Sequence, residues 1–303
     1  MSSLRILLFG RPCIAHDSQV IVQVPRTMLA LLGFLLQQPR GYPRDLLADR
    51  FWPDFPQTRA RNCLNTALWR LRALLEPDGT PRGTFLLAAP TGEVSFNWES
   101  NHWLDVMAFR TQLGSVLSQP IHAMQAADAQ ALEATLELYT GEFLGGVYAD
   151  WVLEERERLH SLYLDGLAHL LCYYKENRAY DASLACGRRI LQHDPLREDI
   201  HREMIRLYME AGHRVLAVRQ YETCRRLLAE EMGIQPMEET QALYSWITST
   251  DARSQPLSAS PQTPINLEQA LDQLRLASHA LERASAQLAQ TVQVVEHLIR
   301  LPD

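Results

Sequence analysis

Hydrophobic and polar positions change period several times along the chain. Leu4–Gly10 (LRILLFG) and Ser18–Val24 (SQVIVQV) are rich in aliphatic and β-branched residues and flank a polar turn around His16-Asp17, which predicts two strands. Thr27–Gln38 (TMLALLGFLLQQ) is an apolar helix stopped by Pro39 and Gly41. The next stretch, YPRDLLADRFWPDF, predicts a second helix with Pro43 in its first turn and an end before Pro53. A third helix starts with a cap near Thr58, runs to Leu75 and is stopped by Pro77 and Gly79. GTFLLAAPTGEVSFNW then alternates, turns at Pro90-Thr91-Gly92 and alternates again, as a β-hairpin does.

From His102 onward the period is close to 3.6, and nearly everything reads as helix, including DAQALEATLELYTGEFLGG. A long helix breaks at Glu176-Asn177, and the outline then repeats. Ala182 and Ala217 lie 35 residues apart, each five after a turn residue, and Cys186 and Tyr221 follow each by four. That is near the 34-residue period of tetratricopeptide (TPR) helix pairs; a non-repetitive helical bundle is the other reading. Residues 248–264 are rich in Ser, Thr, Pro and Gln and read as a flexible linker. Over 265–301 apolar or small residues recur 4-3-4-3, with Leu267, Leu271, Leu274, Leu281, Leu288, Val292, Val295 and Ile299 on one seam, interrupted by Ser278 and Ser285. This pattern predicts a coiled-coil oligomerisation helix, as a dimer first and a tetramer second, against a helix docked on its own protein.

Charge sharpens the picture. The chain of 303 residues carries a net charge of −7, yet residues 1–100 hold 11 Arg against 8 acidic residues, while residues 101–250 hold 14 basic against 22 acidic. Lys175 is the only lysine; arginine suits bidentate contacts to phosphate and guanine, and a GC-rich coding bias explains the choice equally well. No apolar run reaches the length of a membrane span, and MSSLRILLFG lacks the plan of a secretory leader. The five cysteines are far apart with no CxxC pair, as reduced buried thiols of a cytoplasmic protein would be. No GxxxxGK[ST], GxSxG or HExxH motif is present, so no catalytic residue, metal or cofactor is assigned. His193 and His201, with Asp194 and Asp199, read as a solvated inter-helix turn.

The third helix is where acidic chain and basic segment part company. At 100° per residue, Ala60, Leu64, Ala67, Leu68, Leu71, Leu74 and Leu75 form a wide apolar face. Arg59, Asn62, Thr66, Trp69 and Arg70 fall opposite it, with Asn65 and Arg72 on one flank. Arg, Asn and Thr supply the donors and acceptors that read base edges. Three helices followed by a hairpin make a winged helix-turn-helix, whose third helix enters the major groove and whose wing reaches the backbone; Arg82, Thr91 and Asn97 near the wing are placed for phosphate. An ordinary solvated arginine face is the plainer alternative. Trp69 can contact thymine methyls or a protein, or lie against Leu74 and the neighbouring helix.

The order LRILLFG, PRTMLALLGFLL, RDLLADRFWPD, ARNCLNTALWRLRALL resembles the DNA-binding half of SARP-type transcriptional activators. Leu162–Pro236 resembles their bacterial transcriptional activator domain (BTAD). The resemblance covers residues 4–247. It implies a mainly α protein: an OmpR/PhoB-type winged helix (α+β, 1–100), a BTAD/TPR-like all-α domain (101–247), then the linker and coiled-coil helix. It also implies binding to promoter direct repeats in double-stranded DNA and contact with RNA polymerase, with Arg70 and Arg72 near DNA and RFWPDFP (Arg50–Pro56) matching the loop that faces polymerase. The sequence departs from the family in placing Asn65, where arginine is usual, directly after Leu64.

A transcription regulator is therefore expected, with a TPR-type interaction scaffold as the competing class. A small-molecule effector is compatible with the first: Arg188, Arg189, Arg225 and Arg226 recur near the ends of the repeats' second helices, where they either bind an anionic ligand such as a nucleotide or complement the helix dipoles in solvent.

Overall fold

The computed structural model describes residues 4–16, 19–21 and 24–249. The linker expected over 248–264 lies outside the described residues from 250 onward, and so do the coiled-coil helix over 265–301 and its seam from Leu267 to Ile299.

The described chain is mainly helical, with ten α-helices and seven short strands. β1 (Leu4–Leu7), β2 (Cys13–His16), β3 (Gln19–Ile21) and β7 (His102–Leu104) form a sheet ordered β3-β2-β1-β7. Its first three strands are antiparallel neighbours, and β7 runs parallel to β1. Helices α1 (Arg26–Leu35), α2 (Arg44–Phe51) and α3 (Gln57–Leu75) follow. A second sheet, β4-β6-β5, is built from β4 (Tyr42–Pro43), β5 (Leu86–Ala88) and β6 (Glu93–Phe96). The hairpin expected around Pro90-Thr91-Gly92 is thus β5–β6, and its inner strand gains Tyr42–Pro43 as a third partner.

The segment around His16 differs from expectation. Cys13–His16 forms a strand that the sequence did not predict, and it takes in His16, one of the two residues assigned to the turn: Leu7 pairs with Cys13 and Leu4 with His16 in the β1–β2 ladder. His16 is buried, and its Nε2 donates to the Leu74 carbonyl at 2.9 Å, which gives one of the two ring nitrogens a partner inside the fold.

Helices α4 (Asp105–Leu117) and α5 (Ala126–Leu136) pack together and against α6 (Asp150–Glu176). The apolar stretch predicted as one helix through Gly146 instead stops at Leu136. Beyond it, residues 140–147 lie against the end of β1: the Gly10 amide donates to the Glu142 carbonyl at 3.0 Å, the Leu144 amide to the Leu8 carbonyl at 2.8 Å, and Phe9 bridges Phe143. Gly10 has φ +63°, and a Cβ there would sit 2.8 Å from Thr140 Oγ1, so the approach needs glycine. Arg156 of α6 holds the segment from the other side. Its guanidinium donates to the carbonyls of Phe143, Leu144 and Val147 at 2.7, 2.7 and 2.8 Å.

The remaining helices, α7 (Tyr180–His193), α8 (Glu198–Glu210), α9 (Arg214–Met232) and α10 (Glu238–Thr248), follow in succession, with α6 against α7, α7 against α8 and α8 against α9. Cys186, Ala217 and Tyr221 are buried, and Tyr244 of α10 stacks on Tyr221 with centroids 4.0 Å apart. The core is continuous from the sheets into the helices. Phe9 meets Phe109 edge to face at 5.2 Å, and Phe34 of α1 meets Trp151 of α6 at 5.4 Å. Asp105, the first residue of α4, is buried, and its carboxylate accepts the amides of Leu8, Phe9 and Val106 at 2.8, 3.0 and 2.7 Å. Burial pushes the Asp105 carboxyl above the usual aspartate range, and the three amides oppose that shift.

Candidate nucleic-acid interface

α3 follows Pro56, whose carbonyl receives the Ala60 amide; Thr58 provides no cap, and the fixed φ of Pro56 sets the turn into the helix instead. Ala60, Leu64, Ala67, Leu68, Leu71 and Leu75 are buried, which draws one side of α3 into the core with α1 and α2. The opposite side is left to solvent. Arg59, Asn62, Asn65, Thr66, Trp69 and Arg70 are all exposed, and Trp69 points outward at 71% of its full accessibility.

Neighbours orient several of these side chains. The Arg59 guanidinium lies 4.3 Å from the centroid of the Phe55 ring. Thr66 donates its hydroxyl back to the Asn62 carbonyl at 3.0 Å, which leaves its lone pairs outward. Arg44, the first residue of α2, donates to Asn65 Oδ1 at 2.7 Å. Arg61 grips Asp45 with two bonds of 2.6 and 2.8 Å, and these hold the Asp45 carboxyl below its usual range. Asp45 thereby offsets the Arg61 charge on the flank, while among the described residues no carboxylate pairs with Arg59 or Arg70 on the outer face.

Arg72 has a different task. Its Nη2 donates to the Leu86 carbonyl at 2.8 Å, and its Nε lies 3.2 Å from Glu76 Oε2. Glu76 is almost wholly buried and accepts the amides of Gly83, Phe85 and Leu86 through Oε1 at 3.1, 2.9 and 2.9 Å. Arg72 and Glu76 together pin the hairpin to the end of α3. Asn97 serves the same base: its Nδ2 donates to the Thr84 carbonyl, and its Oδ1 accepts the Glu99 amide, so the side chain is turned into the wing and not toward a phosphate. Arg82 and Thr91 are exposed, the latter at the hairpin tip. A groove of about 470 Å³ runs between helix and hairpin, lined by Arg44, Asn65, Trp69, Arg72, Arg82 and Val94 among others. A second, of about 400 Å³, opens on the other flank beside Arg59, Asn62, Thr66 and Arg70. The outer face of α3 thus forms a ridge between two depressions.

Arg44 and Glu76 were not singled out from the sequence. A glutamate directly after the last helical residue and before Pro77-Asp78-Gly79 is a usable signal for a helix-to-loop anchor. Arg44 gives none until α2 and α3 are paired.

Residues 104–248 match the family described as the bacterial transcriptional activator domain. The regulatory protein AfsR of Streptomyces coelicolor is 26% identical over 236 residues, 78% of this chain but only 23% of AfsR. The transcriptional regulatory protein MoaR1 of Mycobacterium tuberculosis is 24% identical over 238 residues, 72% of this chain and 70% of its own. Residues 104–248 thus carry a bacterial transcriptional activator domain, and over most of its length the chain is similar to these bacterial regulators. The chain spans under a quarter of the length of AfsR. The fold is also that of Mycobacterium tuberculosis EmbR, solved in complex with a low affinity phosphopeptide: TM-score 0.62, 21% identity, 98% of this chain and 72% of that one.

Within the BTAD, the four arginines considered for an anionic ligand divide. Arg188 and Arg225 are exposed. Arg189 donates to the Tyr163 hydroxyl at 3.0 Å, and Arg226 pairs with Glu230 at 3.5 Å. His201 corrects the reading of a solvated turn. It is buried, donates Nε2–H to the Pro195 carbonyl at 3.0 Å and accepts from Gln220 at Nδ1 over 2.7 Å. Burial holds its pKa below the ordinary histidine value, and the ring is a neutral structural bridge. His193 does lie at the surface, 3.4 Å from His160. The five cysteines are free thiols, with Cys186 and Cys224 buried and the other three half-buried. Among the described residues no group of three or more metal-ligating side chains is assembled, and no helix is long and apolar enough to cross a membrane.

Proposed function

We propose that this chain is a SARP-type, DNA-binding transcriptional regulator, an activator that works in the cytoplasm and has no catalytic role. Residues 1–100 act as a winged helix-turn-helix in which α3 enters the major groove and the β5–β6 wing lies on the backbone. The observation that carries this reading is the outward side of α3: Arg59, Asn62, Asn65, Thr66, Trp69 and Arg70 are exposed together while the opposite side is buried. Donors, acceptors and uncompensated cations share one ridge, which suits base edges flanked by phosphate.

The finer parts of the proposal rest on separate supports. Successive packing of α6 through α9, with Ala217, Cys186 and Tyr221 inside, favours a TPR-like arrangement over residues 101–247. The Arg50–Pro56 loop offers exposed Pro53, Asp54 and Phe55 to RNA polymerase. The 4-3 pattern over 265–301 favours self-association, so that two heads engage a promoter repeat together.

Titrating a labelled promoter duplex with the full chain at increasing salt tests the central claim. Affinity is expected to fall steeply and log-linearly with salt, as phosphate contacts require. No retention of any duplex at low salt refutes it.

A further inference from the structure

The bond between Arg44 and Asn65 dictates which half of an amide faces outward. Arg44 Nη1 donates to Asn65 Oδ1 at 2.7 Å. A flipped amide would set an NH2 group against a guanidinium, donor against donor, so the oxygen must face Arg44. Arg44 is half-buried at the start of α2, whereas Asn65 is exposed beside the groove between helix and wing. Arg61, another cation near this flank, is held by Asp45, and Arg72, which lines the same groove, is held by the Leu86 carbonyl. Among the described residues no acceptor engages Asn65 Nδ2, so its two hydrogens remain on the outer side.

Base edges in the major groove differ in what they offer such a donor. Guanine presents two acceptors, N7 and O6; adenine presents N7, thymine O4, and cytosine only the N4 donor. We propose that Arg44 and Asn65 act as one specificity unit, in which Arg44 fixes the Asn65 amide as an outward donor that selects guanine first and rejects cytosine at one position of the bound duplex. This rests on the duplex-binding reading above. Arg44 is a positioning residue in the unit and Asn65 the contact.

Duplex selection from a randomised library with the full chain, followed by affinities for the four base variants at the selected position, tests it. Wild type should disfavour cytosine by roughly tenfold or more. Asn65→Asp keeps one oxygen on Arg44 and presents the other outward as an acceptor, so cytosine should become acceptable and guanine disfavoured. Arg44→Met releases the amide and should flatten the preference at that position, whereas Arg44→Lys, which restores a donor to Oδ1, should recover it. If the variants bind with the wild-type ranking of bases, or lose affinity equally for all four, the unit does not exist while DNA binding stands. If wild type selects no duplex, the DNA-binding reading fails and this inference falls with it.

Discussion

The Arg72 guanidinium bonds to the carbonyl of Leu86, so the last turn of the exposed helix and the first strand of the hairpin are held as one piece. Glu76, buried beneath both, accepts three amides from the hairpin and the loop before it. Arg72→Ala is expected to cost about 1.5–3 kcal/mol, the range for a hydrogen bond to a charged group, and to leave Glu76 short of its cation. Urea unfolding measures the loss. Duplex affinity at temperatures where the variant is folded should fall as well, because the wing is no longer set against the helix.

On the outer face, Arg70 makes no bond of this kind among the described residues and is exposed. Arg70→Ala should leave stability within about 0.5 kcal/mol of wild type. If the residue contacts phosphate, the slope of log affinity against log salt should lose about one unit. Leu68→Ala, on the buried side of the same helix, should instead cost roughly 2–5 kcal/mol in urea unfolding.

Asp105 provides a pH signature. Its folded carboxyl titrates above the ordinary aspartate value of 3.8, so the folded state holds this proton more tightly than the unfolded chain does. Stability from this group is therefore fully present below the ordinary value and is lost as pH rises to the raised folded value. Asp105→Asn, neutral throughout, should lack this component, and the difference in unfolding free energy between the two proteins should shift in favour of Asn across that interval. Asp105→Ala should cost about 3 kcal/mol or more at every pH, because three buried amides lose their acceptor.

Replacing Arg156 tests the clasp on residues 143–147. A lysine delivers one point charge where the guanidinium reaches three carbonyls. Arg156→Lys should lower stability by about 2–4 kcal/mol. Hydrogen exchange should accelerate first at the Leu144 and Gly10 amides, which bridge β1 and this segment.

Ending the chain after Thr250 bears on assembly. The truncated protein should keep its folded part, lose mass per particle by light scattering and bind paired sites more weakly than the full chain. An unchanged number of chains per particle would show that the 4-3 seam does not join subunits.

What could be read from the sequence was what local period controls. The burial of Ala60, Leu64, Leu68 and Leu71, and with it the exposure of Asn62 and Arg70, follows from 100° steps alone. So does the hairpin around Thr91, where alternation and turn chemistry agree. Features decided by distant partners were not legible. His102–Leu104 is a strand because β1, almost a hundred residues away, offers an open edge. The stretch after Leu136 leaves the helix because β1 continues into Gly10 and takes its amides and carbonyls. His201 is buried by Pro195 and Gln220, and Arg72 is turned aside by a carbonyl of the wing; neither partner is marked by any motif.

The seam between β1, β7, Asp105 and the segment after Thr140 also has a consequence at the bench. A fragment ending at residue 100 would carry all of α1 to β6 and yet be poorly behaved. Its first strand would lose a parallel neighbour on one side, the amides of Leu8 and Phe9 would lose their acceptor, and Phe9 would face water in place of Phe109. An open strand edge beside a bare aromatic invites clumping. The N-terminal part of this protein is best purified still attached to the helices that complete its sheet.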